Sequence, residues 1–416
     1  MYAQLRKAAF VAVAFFFLLL VGCGGSTGGN NQAGNPGTPN PGGNNNGGGG
    51  GGGTGSSTPA SKFLYVVAGE RGADTLSIQT FTINADSGVL TPLPDLFKAP
   101  EIGFSLVRSP LDFSFYSSSI FRPGIAGFVP GPTGQPQLVS HQGQDSGFPS
   151  VSPDGKFVIN STRNGIHVYS ASQGNLTEVS GSPLILQQRS LTTLVPGAGG
   201  RFYFAAGQDR DATPGSGQPD SRIHIFSMSA SGVLTQVSTT SALPADSTYG
   251  NPVTDTSGHF LYVMEFPFVA NTSPKPLIHV FGIDQNSGAL AEVSGSPFPL
   301  TSVGADRAFA GQVSIGPNNV MYVLANSSRQ IFTYSINSSN GAPVLTGSFP
   351  VQDGPFVITF DRSGRFAYVL QSDAANTRNL ITTYAIGTNG SLAPISGPPA
   401  NALCCTGIGL QAMTAD

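Results

Sequence analysis

The stretch Asp361-Arg362-Ser363-Gly364-Arg365-Phe366-Ala367-Tyr368-Val369 is a turn followed by a strand, and versions of it recur down the chain. The strand starts fall at Phe63, Phe113, Phe157, Phe202, Phe260, Val320 and Phe366, seven copies spaced by about 44 to 60 residues. The clearest read Phe63-Leu64-Tyr65-Val66, Phe260-Leu261-Tyr262-Val263 and Phe366-Ala367-Tyr368-Val369. Aromatic and β-branched residues of this kind suit a pleated strand. Turn signals precede them at Ser152-Pro153-Asp154-Gly155-Lys156, Asp255-Thr256-Ser257-Gly258-His259 and Asp361 to Arg365. Pro presets φ and Gly accepts φ > 0, so each predicts a hairpin.

A third strand with an Ile-x-x-aromatic pattern follows, as in Ile78 to Phe81, Ile223 to Phe226, Ile278 to Phe281, Ile331 to Tyr334 and Ile381 to Tyr384. A Ser/Asn-Gly turn then leads to a short fourth strand at Leu90, Leu234, Leu290 and Leu392. It often closes with Ser-Gly-Ser-Pro (Ser180 to Pro183, Ser294 to Pro297), and Pro suits an outer edge. Four short antiparallel strands per repeat predict an all-β fold, a seven-bladed β-propeller of four-stranded antiparallel blades. The second copy, near Phe113 to Ser140, departs furthest from the pattern. The folded part starts on a second-type strand, while Gly407 to Met413 reads as an innermost strand with no blade after it. The C-terminal strand is therefore expected to join the N-terminal blade and close the ring.

Composition agrees. Of 416 residues only 10% are charged, and 55 Gly with 32 Pro make up about a fifth of the chain. That is a poor mixture for long helices and a good one for strands and turns. Net charge is −3 with no basic block, which excludes a surface for neutralising nucleic-acid phosphates. Arg6 and Lys7 followed by the apolar run Ala8 to Val21 read as a signal peptide over 1–22. Leu20-Val21-Gly22-Cys23 resembles a bacterial lipobox, which implies lipidation of Cys23. Residues 23–60 are almost all Gly, Asn, Ser, Thr and Pro and have nothing to bury, so they predict a disordered tether. A coil of that length spans on the order of 35 Å. The predicted address is the cell envelope on its periplasmic or outer side. By resemblance to the sorting rule, Gly24 after the Cys favours the outer membrane. The propeller is assigned to 61–416. Cys404 and Cys405 are adjacent, with Cα atoms about 3.8 Å apart, below the usual disulfide range, which favours two reduced thiols over a bridge.

The Phe-Leu-Tyr-Val strand followed by Ile-x-x-Phe-x-Ile, the Ser-Gly-x-Leu turn and Val-Ser-Gly-Ser-Pro-Phe at 293–298 resemble the lactonase-type seven-bladed propellers. These are the bacterial 6-phosphogluconolactonase and carboxymuconate-cyclase relatives, and the resemblance covers about 61 to 416. It implies the fold and, less specifically, lactone hydrolysis. In those enzymes a Pro-Arg-His opens an innermost strand and a Glu follows the next strand. The corresponding stretches here are Asn251-Pro252-Val253 and Tyr262-Val263-Met264-Glu265: Glu265 matches, and the Arg and His have no counterpart.

In a blade, the loops between second and third strands and the blade-to-blade connections share one face, where the repeats disagree most and function usually sits. The second-to-third loops place Glu70, Arg71, Asp74, Glu265, Asp373 and Arg378 there. The same face is expected to hold Asp306, Arg307 and Asp353, and the connections add His141, Asp145, Asp246 and Tyr249. A lactone hydrolase needs a group to activate water and a cation for the developing oxyanion. Glu265 as base with Arg307 as anion-binding partner is the best pairing. His167, His224 and His279 share one repeat position in different blades, so they cannot converge on one ion, and the position reads as one that tolerates bulk. His141 alone is expected near the channel. No spacing suits a transition metal, Asp209, Asp211 and Asp220 lack the regular spacing of a calcium loop, and no cofactor is expected. The expected partners are the membrane through the lipid and a small-molecule or protein ligand, with the chain a monomer. Two functions remain open: a binding module working through its loop-rich face, and a lactonase-like hydrolase.

Overall fold

The second strands carry apolar residues at successive positions instead of alternating ones, and the architecture explains why. The computed structural model describes residues 62–416 apart from 70–75, 104, 120–121, 187–189, 209–221, 242–246, 268–275, 301–309, 327, 373–378, 403–412 and 416. The signal peptide, Cys23 and the tether thus lie outside the described residues, as does the Cys404–Cys405 pair. The described strands form seven antiparallel sheets, the blades of one ring. Blade five is representative. Its inner strand comprises Ser247–Tyr249 and Val253–Thr254, its second Phe260–Pro267, its third Leu277–Ile283 and its outer Leu290–Glu292. Leu261 and Val263 pack with Phe204 and Ile225 of blade four. Tyr262 and Met264 pack with Val323 and Phe332 of blade six. Successive residues enter different cores, so neither face of the blade has a polar requirement. The seven apolar clusters each lie between two neighbouring blades.

The repeated Phe-x-Tyr joins one blade to the next. A Cβ on Gly341, in the turn between the third and outer strands of blade six, would lie 2.5 Å from the Phe260 ring, and its φ is +72°. Only Gly combines that backbone with that clearance. Tyr262 donates its hydroxyl to the Gly341 carbonyl at 3.0 Å, as Tyr65 does to Gly134 and Tyr322 to Gly390.

Ring closure follows the sequence expectation. Leu64, Tyr65 and Val66 pair with Ala415, Thr414 and Met413, so the C-terminal strand is innermost in blade one. Its described residues are Met413–Ala415, and residues 407–412 of the stretch expected to form it lie outside the described residues. Blade one therefore has no covalent turn between its inner and second strands, and arginines tie blades one, two and seven together around it. Arg108 donates to the Ala415 carbonyl at 3.3 Å. Arg362 reaches from blade seven to blade two, donating to the carbonyls of Ser109 at 3.0 Å and Asp112 at 2.6 Å. Arg365 donates to the Asp86 carbonyl at 3.0 Å. Asp361 is 1% exposed and accepts from the Phe366 amide at 2.8 Å, so the polar groups of this turn are scaffold.

Blade two is complete, with strands Ser105–Arg108, Phe115–Ser119, Arg122–Pro130 and Pro136–Gln142. Its second strand starts at Phe115, two residues after the expected Phe113. Phe115 is buried between Tyr65 and Phe128, with ring centroids at 4.5 and 5.2 Å, whereas Phe113 is exposed beneath the Arg362 guanidinium.

The outer strands alternate in kind around the ring. In blades one, three, five and seven a short outer segment ends, and a second short segment returns to the third strand. In blades three and five the break contains the cis bonds Ser182–Pro183 and Ser296–Pro297. In blades two, four and six the outer strand is continuous and carries a register shift. Breaks and bulges of this kind interrupt an open sheet edge.

Candidate functional site

Blades three and five share the sequence Leu-x-Glu-Val-Ser-Gly-Ser-Pro and a His after the third-strand Ile. Antiparallel pairing brings these residues together. His167 Nδ1 lies 2.7 Å from Glu178 Oε1, and His279 Nδ1 lies 2.7 Å from Glu292 Oε1. Ser182 and Ser296 donate their hydroxyls to the same carboxylate oxygens at 2.8 and 2.7 Å. Each serine also accepts a third-strand amide, from Val168 or Val280, at 2.9 Å. Blade four has the neutral version, Gln236 Nε2 at 3.0 Å from His224 Nδ1.

The blades differ at the other imidazole nitrogen. In blade three His167 Nε2 meets Asp145 Oδ2 at 3.3 Å, and that aspartate side chain is 34% exposed. In blade five His279 Nε2 meets Glu265 Oε2 at 2.8 Å, with side-chain exposures of only 5% and 7%. Tyr249, on the inner strand, is the register partner of Glu265, and its ring sits edge-on to His279 at 5.7 Å. Burial pushes the Tyr249 hydroxyl well above the usual tyrosine range, and the Glu265 and Glu292 charges push it further. Burial also opposes charging of His279, but its bonds to Glu265 and Glu292 outweigh that and hold its pKa above the ordinary histidine value. The result is a line of ionisable side chains across blade five: Glu292, His279, Glu265 and Tyr249, from outer to inner strand. It lies at the end of the second strand that leads into the loop-rich face. A carboxylate held this way can accept a proton or bind a hydroxyl-rich ligand, and the imidazole can hold it ionised.

The sequence expectations divide accordingly. Glu265 lies within the strand Phe260–Pro267 and is buried, so it belongs to the scaffold's edge and not to a solvated loop. Tyr249 joins it. Asp145 belongs to the blade-three cluster, where it also accepts from Asn164 Nδ2 at 2.8 Å. Asp353 is buried at the entry to blade seven, its amide donating to Gln371 Oε1 at 3.1 Å. His141 lies on the outermost strand of blade two, near the Pro123 carbonyl at 3.1 Å, which places it at the rim and not beside the channel. Glu70, Arg71, Asp74, Asp246, Asp306, Arg307, Asp373 and Arg378, together with Asp209, Asp211 and Asp220, lie outside the described residues. Sequence reasoning passed over His279, because its repeat position looked like one that merely tolerates bulk. The signal was the pairing of His with Glu or Gln on the neighbouring strand in blades three, four and five, against Phe332 in blade six and Thr382 in blade seven. Among the described residues no group of His, Cys, Asp and Glu forms a set able to hold a metal ion.

Comparison with solved structures places the fold. The chain is similar to a candidate 6-phosphogluconolactonase from Bacteroides fragilis, at 15% identity and TM-score 0.58, covering 85% of this chain and 97% of that one. A candidate 6-phosphogluconolactonase from Bacteroides uniformis is similar at 17% identity and TM-score 0.59, covering 82% and 97%. The periplasmic gluconolactonase of Pseudomonas aeruginosa is similar at 16% identity and TM-score 0.54, covering 83% and 99%. The fold is that of the lactonase-like propellers. Likeness at these identities is one of fold, and no protein-family model or curated protein matches the sequence.

Proposed function

We propose that this chain is an extracytoplasmic propeller, held to a bacterial envelope membrane by a lipid on Cys23, that binds a small hydroxyl-rich acid or its lactone at its loop-rich face. The observation that supports this is the buried Glu265–His279 pair at 2.8 Å, placed where the second strand of blade five enters that face. Perturbed, buried ionisable groups concentrate at functional sites. A second reading, lactone hydrolysis, is favoured by the same pair, because Glu265 can act as general base toward water, and by the lactonase names of proteins with this fold. In that reaction Glu265 takes a proton from water as the oxygen attacks the lactone carbonyl. The ring C–O bond then breaks, and the proton passes to the leaving alkoxide.

The test is a panel of sugar and muconate lactones offered to the parent chain and to Glu265→Gln, with binding of the corresponding sugar acids followed by calorimetry. Hydrolysis is expected to fall by on the order of 10²-fold or more in the variant if Glu265 is the base. Binding without turnover supports the first reading alone, and neither binding nor turnover across the panel overturns both. The anchor has its own test: Cys23→Ala is expected to leave the membrane fraction for the soluble one. If that variant partitions with membranes as the parent does, the lipid anchor is wrong.

A further inference from the structure

The repeats of this chain serve as internal controls on blade five. At the strand positions that carry Glu265 and His279, blade seven carries Gln371 and Thr382, joined by a neutral hydrogen bond of 2.6 Å. Blade four sets a neutral amide, Gln236, on its histidine. The scaffold can therefore close this part of a blade without charge. Blade five instead buries ionisable groups there, which is unfavourable unless each is paired. Among the described residues, the titratable side chains that face the His279 ring are Glu292 from the outer strand, Glu265 from the second strand and Tyr249 from the inner strand. Of the two carboxylates, Glu265 is 7% exposed and Glu292 is 38% exposed. Glu292 thus reaches bulk water, whereas Glu265 keeps only a small exposed area.

We infer that His279 is the positioning residue of this site: as an imidazolium spanning both carboxylates it keeps Glu265 ionised and oriented, and Glu292 is the port through which the imidazolium exchanges its proton with solvent. The inference deepens the proposal that Glu265 serves the ligand site, and it rests on that reading for its functional meaning. The Nδ1–H proton passes to Glu292 Oε1 and from there to water. The neutral ring still donates its Nε2–H to Glu265 Oε2. One proton leaves, only one N–H bond breaks, and Glu265 loses its compensating positive charge, so it becomes a stronger base. Blade three lacks this arrangement, because its inner carboxylate, Asp145, is itself open to water.

The test is a histidine nitrogen–proton correlation spectrum of the full chain through a pH series, with His279→Asn to identify the His279 signals. At neutral pH both ring nitrogens of His279 are expected to carry protons, and the ring is expected to titrate above 6.5. Glu292→Gln should shift that titration downward and should shift the pH profile of lactone turnover or sugar-acid binding with it. Glu178→Gln, the blade-three counterpart, should leave both unmoved. A single ring proton with titration at or below 6.5 in the parent overturns the inference. So does a Glu292→Gln chain whose His279 titration, or whose functional pH profile, matches the parent. Should the parent neither bind nor turn over any member of the panel, the functional proposal fails, and the spectra still decide whether His279 carries the charge that governs Glu265.

Discussion

Deleting residues 413–416 is expected to abolish the cooperative unfolding transition of the whole domain, not merely to lower its midpoint. The deleted strand makes three residue pairs with Leu64, Tyr65 and Val66. Cross-strand pairs contribute roughly 0.2–1 kcal/mol each, so their direct loss is small against a folding stability of about 5–15 kcal/mol. The larger effect is indirect. Ala415 is fully buried in the cluster between blades one and seven, with Leu64, Val66, Tyr368 and Leu370. Without the strand, that cluster and the inner edge of Phe63–Gly69 open to water, and the Arg108 bond to the Ala415 carbonyl is lost. A ring cut at one point becomes a linear array with two exposed ends, and such arrays need capping to persist. Calorimetry and circular dichroism of the truncated chain check this. A melting transition like that of the parent would refute the closure argument.

His279→Leu is expected to be the most damaging single substitution in the candidate site, at about 3–5 kcal/mol, because it removes a hydrogen-bonded, charged partner of a buried carboxylate. Glu265 and Glu292 would then face an apolar side chain from opposite sides. The double variant Glu265→Gln with His279→Thr copies the pair that blade seven already uses, and it should recover much of the loss. Chemical denaturation of the three chains measures both effects, and a double variant as unstable as the single would refute the pairing account. The pH dependence has a defined sign. His279 is more basic in the folded chain than its ordinary value of 6.5, so it binds its proton more tightly when folded. Its contribution to stability is complete below that ordinary value and is lost as pH rises through the higher folded one. The parent should therefore lose stability over that window relative to His279→Leu. Equal pH slopes in the two chains would mean that His279 is not charged in the fold.

The fold was legible because the repeat carries it. Phe63, Phe157, Phe202, Phe260, Val320 and Phe366 all begin second strands, as their pattern predicts. Blade two was displaced by two residues for a plain reason. Phe113 and Phe115 have the same parity along a strand, and alternation alone cannot say which one ends the turn. The site was legible only in part. Glu265 stood out through the resemblance of Tyr-Val-Met-Glu to a lactonase strand, and Tyr249 through its place in a blade connection. Their partner His279 did not, because its contacts are lateral. Glu292 lies thirteen residues further along the chain, and Glu265 lies fourteen residues back. Neither spacing is a motif, and both become short distances only once three strands are laid side by side. Arg307 and the other loop residues are carried by segments for which the repeat supplies no template.

The position of the final strand also fixes when this protein can mature during synthesis. The innermost place in blade one stays vacant until residues roughly 350 positions beyond Leu64 have been made, because Ala415 fills it. Contacts of such separation close slowly, since the loop entropy is lost before the contact forms. Six of the seven blades can assemble on the ribosome or behind it, but the first blade made is the last completed. Until then the strand Phe63–Gly69 keeps one unsatisfied row of amides and carbonyls. A nascent chain of this design therefore remains open until the strand Met413–Ala415 has emerged, and its ring has no means of locking earlier.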